Sequence, residues 1–507
     1  MESIEYYQRS APLSFFFATL AFCFLYWLAR EDRPFNSFYI ANKRGSDLFL
    51  RKAKEEWDYN AATITKEGFI KTNGRAFQVV TRHGPVIILP LSLCDETRND
   101  PRLSFSGFLE RQGLTNYPGL DVLHAGTQGD IIQETIRKNL TQSLGSLTDV
   151  LSNHTTEILD THLPVGRDWQ DVPISSVAVQ IAARLSARVF LGERLCRDED
   201  WIDISTKFTA VTFKAQESLR VWPSFMRPFV HRFVPLLRYQ RSLIKRARVI
   251  IEPELEARRK ARKDVVKPQD SLSWLDDTRG DREFDVARGQ LFLSLAAIHT
   301  TSTVLTSIMY DLVAHPEYID DLREEITRVL KEDGGWKKTS LYKMMLMDSC
   351  MKESQRLHVL GPTSMNRRVE APMTLSDGTH LPKGVFVAFS SYNMRDGDVF
   401  KNPHEFNGRR FLDLRAQPGQ ANRWQFVTTT PEYLSFGHGK HACPGRFFAS
   451  NEIKIALAHL LMKYDWKVSG APPKSLLETR FLPDPKAVVA CRTRELEPEI
   501  AALMGRA

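Results

Sequence analysis

The sequence predicts a mainly helical protein with small β-sheets, built as one large domain behind a single apolar N-terminal segment. Three observations lead there. No repeat, low-complexity tract or long Gly/Ser/Pro linker divides the 507 residues, so the soft prior of about three domains for that length yields to one large one. Helical periodicity dominates from about 130 to 330. Strand-like runs are confined to two short stretches, 77–90 and 375–387. The expected division is 1–34, an anchor with its flank, and 35–507, the body.

Residues Ala11–Ala29, APLSFFFATLAFCFLYWLA, carry no charge. At helical rise they reach roughly 28 Å, close to the hydrocarbon thickness of a bilayer. Tyr26 and Trp27 stand near one end, where interfacial aromatics are expected. A cleaved signal peptide has a shorter apolar region and a small-residue cleavage site; here the run ends in Arg30-Glu31-Asp32-Arg33-Pro34. Only Arg9, with Glu2 and Glu5, precedes it, whereas Arg30, Arg33, Lys43, Arg44, Arg51, Lys52 and Lys54 follow. The positive-inside bias therefore predicts one membrane span with a cytosolic body. The sequons at Asn139 and Asn153 would then go unused.

Within the body, residues 77–90 predict a hairpin turning around His83-Gly84-Pro85. Val221–Leu237 is aromatic, basic and broken by proline. It suits either ordinary helix ends or an apolar lip that dips into a membrane. Leu375–Val387 predicts a second small β element around an Asp-Gly turn. Lys+Arg exceed Asp+Glu by 69 − 61 = 8 without a polybasic tail. That excess argues against nucleic-acid binding and allows an anionic membrane or an acidic partner. The six cysteines are scattered with no CxxC pair, which argues against a disulfide framework and a structural zinc cluster.

The stretch SFGHGKHACPGRF, residues 435–447, concentrates the chemistry. Gly437, Gly439 and Gly445 ask for tight turning or close approach. Lys440, His441 and Arg446 surround Cys443 with positive charge, which favours thiolate over thiol. Such a sulfur is a nucleophile or a metal ligand, and a nucleophile needs a base and a third group. Only His441 lies near it in sequence. Upstream, Gly289–Ala314 is a long apolar segment interrupted by Ala296-Ala297-Ile298-His299-Thr300-Thr301. Its threonines could bond back to their own helix. Glu353 and Arg356 stand at i and i+3 on one helix face, and Pro403–Phe411 supplies Arg410.

Each piece alone is ambiguous, but their order and spacing resembles the cytochrome P450 family, from Leu291 to Glu452. The N-terminal segment resembles its microsomal type, and the A-A-I-H-T-T and GKHACPGR forms are similar to filamentous-fungal members of secondary metabolism. The resemblance implies a P450 fold and a haem b whose iron is ligated by Cys443, with Phe436, Gly439 and Gly445 shaping the loop. Glycines let backbone amides approach the sulfur. The resemblance also implies a structural network of Glu353, Arg356 and Arg410. Thr300 would be the oxygen-cleft threonine, with Ala296 and Ala297 leaving room beside it. Two positions depart from the family. His299 stands where an acid is common and is a candidate proton shuttle. His441 stands where an arginine often meets a haem propionate, a task Lys440, His441 or Arg367 could share.

The implied activity is that of a monooxygenase using O2 and NADPH electrons from NADPH–cytochrome P450 reductase, with cytochrome b5 as a further partner. A basic face near Lys440 and Arg446 would dock the reductase. The expected location is the endoplasmic reticulum membrane, and the expected substrate an apolar terpenoid-type molecule: a diterpenoid, indole-diterpenoid or meroterpenoid. Segments 291–301, Val359–Met365 and Phe481–Lys486 would shape its pocket. Oxidation of a polyketide or alkaloid is the alternative. A reductase-independent haem-thiolate isomerase or peroxygenase usually lacks the threonine present at Thr300. A non-catalytic haem carrier would need a second axial ligand, for which His299 is the one candidate.

Overall fold

A computed structural model describes Thr19 and residues 33–505, apart from 44, 46, 48, 49, 262–266 and 471–486. The expected span at 11–29, Thr19 excepted, and the turn at 481–486 lie outside the described residues.

Helix α1 (Arg51–Lys71) leads into the hairpin β1 (Phe77–Thr81) and β2 (Gly84–Leu89). Thr81 pairs with Gly84, so the turn is Arg82-His83, one step earlier than expected. Gly84 takes the positive φ of 105°, which glycine adopts without strain. Pro85 lies in β2 opposite Val80, ahead of Val86, where pairing to the next strand begins. A proline lacks the N–H that such pairing uses, so it fits only outside it.

The two-residue strand β3 (Leu103–Ser104) hands over to α2 (Phe105–Gly113), capped by Ser104, whose hydroxyl accepts from the Gly107 N–H. The predicted helical region follows as α3 (Thr141–His162), α4 (Ile174–Leu195), α5 (Glu199–Arg220), α6 (Pro235–Lys260), α7 (Val286–Ala314) and α8 (Glu317–Asp333). It also holds a short strand that the helical pattern hid, β4 (Gln170–Val172). Asp198 and Asp285 cap α5 and α7 by accepting from the N–H groups of Trp201 and Arg288. Helix α7 stops at His315, immediately before Pro316, as the sequence predicts.

Beyond lie α9 (Met345–Leu357), β5 (Thr363–Val369), β6 (Met373–Thr374), β7 (His380–Leu381), β8 (Phe386–Ser390), α10 (Arg410–Ala416), α11 (Arg446–Lys463), β9 (Tyr464–Val468) and β10 (Val489–Thr493). The expected β element at 375–387 is divided. Its Asp377-Gly378 turn joins β6 to β7, while residues from 386 onward form β8 in a larger sheet. That sheet has the order β1-β2-β8-β5-β3, with β2 and β8 parallel. A second sheet runs β4-β10-β9. The architecture is mainly helical with small sheets.

Helix α7 runs through the middle, against α4, α5, α9 and α11. Its apolar residues recur on every side, the mark of a helix buried all round. Both α4 and α7 are long and apolar enough to cross a membrane, yet most of each is buried inside the protein. Between α5 and α6 the segment 221–237 divides: Val234 and Leu237 pack inward, whereas Val221, Trp222, Phe225, Phe229 and Phe233 are exposed.

One close approach fixes how α7 meets the neighbouring turn Asp121–Gly126. A Cβ on Gly126 would sit 2.1 Å from the Phe292 ring, too close for real atoms. Gly126→Ala is therefore expected to lower stability in urea unfolding by about 1–3 kcal/mol through overpacking. Adding Phe292→Leu to the same chain should recover most of the loss.

Candidate functional site

The loop before α11 is built on two left-handed glycines, Gly437 (φ 67°) and Gly439 (φ 78°). A Cβ on Gly439 would also meet the Arg98 Cβ at 2.8 Å, so this position has both reasons for glycine. Gly445 has neither: its φ is −84° and nothing stands within 4 Å of a Cβ there. The Cys443 N–H donates to the Phe436 carbonyl at 2.8 Å, closing the loop. The Phe436 ring meets Phe426 edge-on at 5.3 Å.

Cys443 thus stands three residues before Arg446, the first residue of α11, and its sulfur faces the N–H groups of Gly445 and Arg446. The side chain is accessible although dense protein surrounds it, so it borders an internal space. Burial pushes its thiol up, against the pull of those two N–H groups and the Arg446 charge. The positive surroundings seen in the sequence do not by themselves win the thiolate; a cation bound at the sulfur would. Arg446 is turned onto the loop, donating to the Cys443 carbonyl at 2.8 Å and the Val427 carbonyl at 3.0 Å. Two of its donors are thereby spent on the loop, while its side chain remains partly exposed. Lys440 is exposed, its N–H donating to Asn99 Oδ1 at 2.8 Å and its carbonyl accepting from Arg137 at 3.0 Å.

On α7, Ala296 and Thr300 are exposed in the middle of a buried helix, with Phe292 partly exposed one turn earlier. Spacing of four places all three on one face. The Thr300 hydroxyl donates to the Ala296 carbonyl at 2.7 Å, the back-bonding expected of a helical threonine, and keeps its lone pairs free to accept. His299 is not brought onto that face. Its Nε2 meets the Thr206 carbonyl of α5 at 3.0 Å, and burial lowers its pKa. A neutral ring donating to a carbonyl fits this geometry.

Sequence reasoning missed Glu452, a single acid within the apolar run of α11. It is fully buried and accepts from the Ser186 hydroxyl at 3.2 Å and from Thr301, while its Oε2 has no partner among the described residues. Burial pushes its pKa up to about 8 despite those two bonds. Its only sequence signal is a carboxylate placed where the helix is otherwise apolar.

Behind the loop, Glu353 and Arg356 have no exposed side-chain surface. Arg356 donates through Nε and Nη2 to the two Glu353 oxygens at 2.8 and 2.9 Å. Arg410 donates through Nε to the same carboxylate at 2.9 and 3.0 Å. Arg356 also binds the carbonyls of Met394 at 2.9 Å and Pro403 at 2.6 Å. Next to them, buried Lys352 donates to the Gln425 and Thr428 carbonyls at 2.9 and 3.1 Å and sits 3.5 Å over the Tyr433 ring. Burial lowers its pKa to about 7.

Arg367 is buried on β5. Its guanidinium donates to the Asn366 carbonyl at 2.7 Å and lies 5.5 Å from the Phe105 ring centre. No carboxylate among the described residues pairs with it, and burial lowers its pKa to about 10. His441 faces the same region; burial first, then the charges of Arg367 and Lys440, lower its pKa to about 4. Arg367 and Lys440 therefore bring positive charge to this region, and His441 a neutral ring beside them. A cavity of about 470 Å³ lies between α1, α2, α5, α7 and the segment after α9. Phe105, Phe108, Phe213, Phe292 and Leu295 form its apolar walls, with Thr363 and Asn366 as polar points at one side and Asp58, Arg82, Gln112, Gln216 and Glu217 also lining it.

Residues 135–491 match the family model described as Cytochrome P450. The chain is 40% identical over 466 residues to cytochrome P450 monooxygenase hepE of Aspergillus oryzae, covering 90% of this chain and 84% of the relative. It is 39% identical to cytochrome P450 monooxygenase adrA of Penicillium rubens, with 93% and 94% covered. It is 36% identical to cytochrome P450 monooxygenase pyr3 of Aspergillus fumigatus, with 92% and 90% covered. Among solved structures, the haem domain of cytochrome P450DA shares the fold at a TM-score of 0.68 and 14% identity, covering 90% of this chain and 98% of that one.

Two outcomes follow from the buried charges. Arg356→Ala leaves the Glu353 carboxylate short of a partner, and should cost about 3–5 kcal/mol in denaturant unfolding. For Glu452, the folded pKa lies above the unfolded one, so the folded chain holds a proton that the unfolded chain releases. Stability should fall as pH rises from about 4.5 toward about 8 and level off above. Glu452→Gln should remove that component, its melting temperature gaining on wild type as the pH rises across this window.

Proposed function

The chain belongs to the cytochrome P450 family, and from that premise we propose a membrane-bound monooxygenase of fungal secondary metabolism acting on an apolar terpenoid-type molecule. Enzymes of this family carry haem with an axial thiolate and draw electrons from a reductase; when bound, the group supplies the activation of dioxygen and its insertion into the substrate.

The single observation that carries the reading is the Cys443 sulfur, held before α11 by two backbone N–H groups and buried enough to raise its thiol. A metal cation supplies the charge that this thiolate lacks, and a soft sulfur donor suits iron. Arg367, buried without a carboxylate partner among the described residues, fits the anionic propionates, with Lys440 and His441 beside it. The residues present thus fit haem b. Phe436 shields the sulfur, and the left-handed Gly439 lets the loop close against Arg98. Gly445 contributes its N–H. The Glu353–Arg356–Arg410 network fixes the chain that leads to the loop. On the α7 side Ala296 leaves room, and the Thr300 hydroxyl, already donating to its own helix, is set to accept a hydrogen bond from water. The carrier alternative has little support, since His299 is held by α5.

Residues 11–29 would cross the endoplasmic reticulum membrane and leave the body cytosolic. The exposed Trp222, Phe225, Phe229 and Phe233 suit a lip that enters the same membrane and admits apolar substrate. NADPH–cytochrome P450 reductase, and cytochrome b5 as a second donor, are the partners. The cavity walls favour a diterpenoid, indole-diterpenoid or meroterpenoid; a polyketide or alkaloid intermediate is the second reading. Thr300 speaks against a reductase-independent isomerase or peroxygenase.

The test is expression in reductase-containing microsomes fed with terpenoid and polyketide scaffolds. Products heavier by one oxygen, dependent on NADPH, are expected from wild type. Cys443→Ser should lose both the red-shifted carbon-monoxide band and the product. Retention of that band in the serine variant overturns the assignment of the ligand.

A further inference from the structure

We propose that Gln216 recognises a hydroxyl group on the substrate, so that the molecule oxidised here already carries an alcohol. The inference rests on the reading that the cavity beside α7 is the substrate site.

Gln216 lies on α5 with only 5% of its surface exposed and lines that cavity. Its Nε2 donates to the Gly113 carbonyl at 3.1 Å. Gly113 is the last residue of α2, and Leu114 leaves the helix in the left-handed conformation (φ 53°), so the Gly113 carbonyl is one of the helix-end acceptors that need an outside donor. This contact settles which way the amide faces. Only nitrogen can donate to a carbonyl, so Oε1 must take the other position. No described residue donates to Oε1. It is an acceptor beside a cavity with mostly apolar walls, Phe105, Phe108, Phe213, Phe292 and Leu295 among them, whose strongest polar donors are directed elsewhere, Gln112 Nε2 to the His83 carbonyl and Arg82 to Asp58.

An acceptor in apolar surroundings is disfavoured until a donor reaches it. A substrate hydroxyl supplies that donor. An ether or ketone oxygen at the same place would meet Oε1 lone pair against lone pair, and a bare hydrocarbon would leave it unpaired. Discrimination of this kind is strong because the penalty falls on the analogue that lacks the donor. In a reaction sequence, a step that installs a hydroxyl, by hydration or by an earlier oxygenation, must then precede this enzyme.

The full-length holoenzyme in microsomes is titrated with cedrol, cedryl methyl ether and cedrene, and with hexadecan-1-ol and hexadecane, reading Kd from the haem difference spectrum. Wild type should bind an alcohol about tenfold more tightly than its ether or hydrocarbon counterpart. Gln216→Leu and the near-isosteric Gln216→Met should lose that preference by weakening the alcohol alone, with the carbon-monoxide band kept as evidence of an intact fold. Preference for the alcohol in the cyclic set supports both readings. Preference in the linear pair only supports hydroxyl recognition and overturns the terpenoid assignment. Equal affinity for alcohol and hydrocarbon, a preference unchanged in whichever variant keeps the band, or no binding of any probe overturns the role of Gln216.

Discussion

A carboxylate and two guanidinium groups shut away from water set the terms for the rest of this molecule. Glu353 sits between Arg356 and Arg410, and each arginine spends its remaining donors on carbonyls between Met394 and Glu405. Desolvating such charges is expensive, and only a complete set of hydrogen bonds offsets it. The network therefore tolerates one arrangement of α9 and the long irregular segment before α10. Lys352, next along α9, extends the same constraint to Gln425 and Thr428, and so to the chain that enters the cysteine loop. A segment with little regular secondary structure is held by buried charge rather than by a sheet or helix.

The two walls of the site are made differently. The sulfur wall is a backbone construction: left-handed glycines, one cross-loop hydrogen bond and the first N–H groups of α11 define where Cys443 stands. The wall proposed on α7 is an interruption of packing, since Ala296 and Thr300 are exposed on a helix buried nearly everywhere else. In the proposed site, the first supplies precise geometry for a ligand atom and the second supplies space. Burial acts on both. It raises the Cys443 thiol and the Glu452 carboxyl, lowers His299 and His441 toward the neutral ring, and leaves Arg367 with a charge that no carboxylate among the described residues balances. These directions share one cause, the loss of water around an ionisable group.

Much was legible in the sequence, and for identifiable reasons. The helical period, the proline ending α7, the hairpin near residue 83 and the Asp-Gly turn are local properties of the chain, carried by side-chain spacing and backbone permission. The order of the small-residue and threonine cluster, the Glu-x-x-Arg pair, the arginine before α10 and the cysteine loop was sufficient to suggest the family that the comparisons show. Tertiary structure alone decided which face each residue occupies. His299 and Thr300 are neighbours in the chain and part company in space, because adjacent helical positions point about 100° apart. Arg446 looked like a surface cation and instead clasps the loop. Glu452 and Gln216 carry no motif; a lone acid or amide gains meaning only when surrounding helices remove its water and choose its partners. Local patterns fix elements and turns, whereas burial, charge balance and hydrogen-bond direction arise only where distant segments meet.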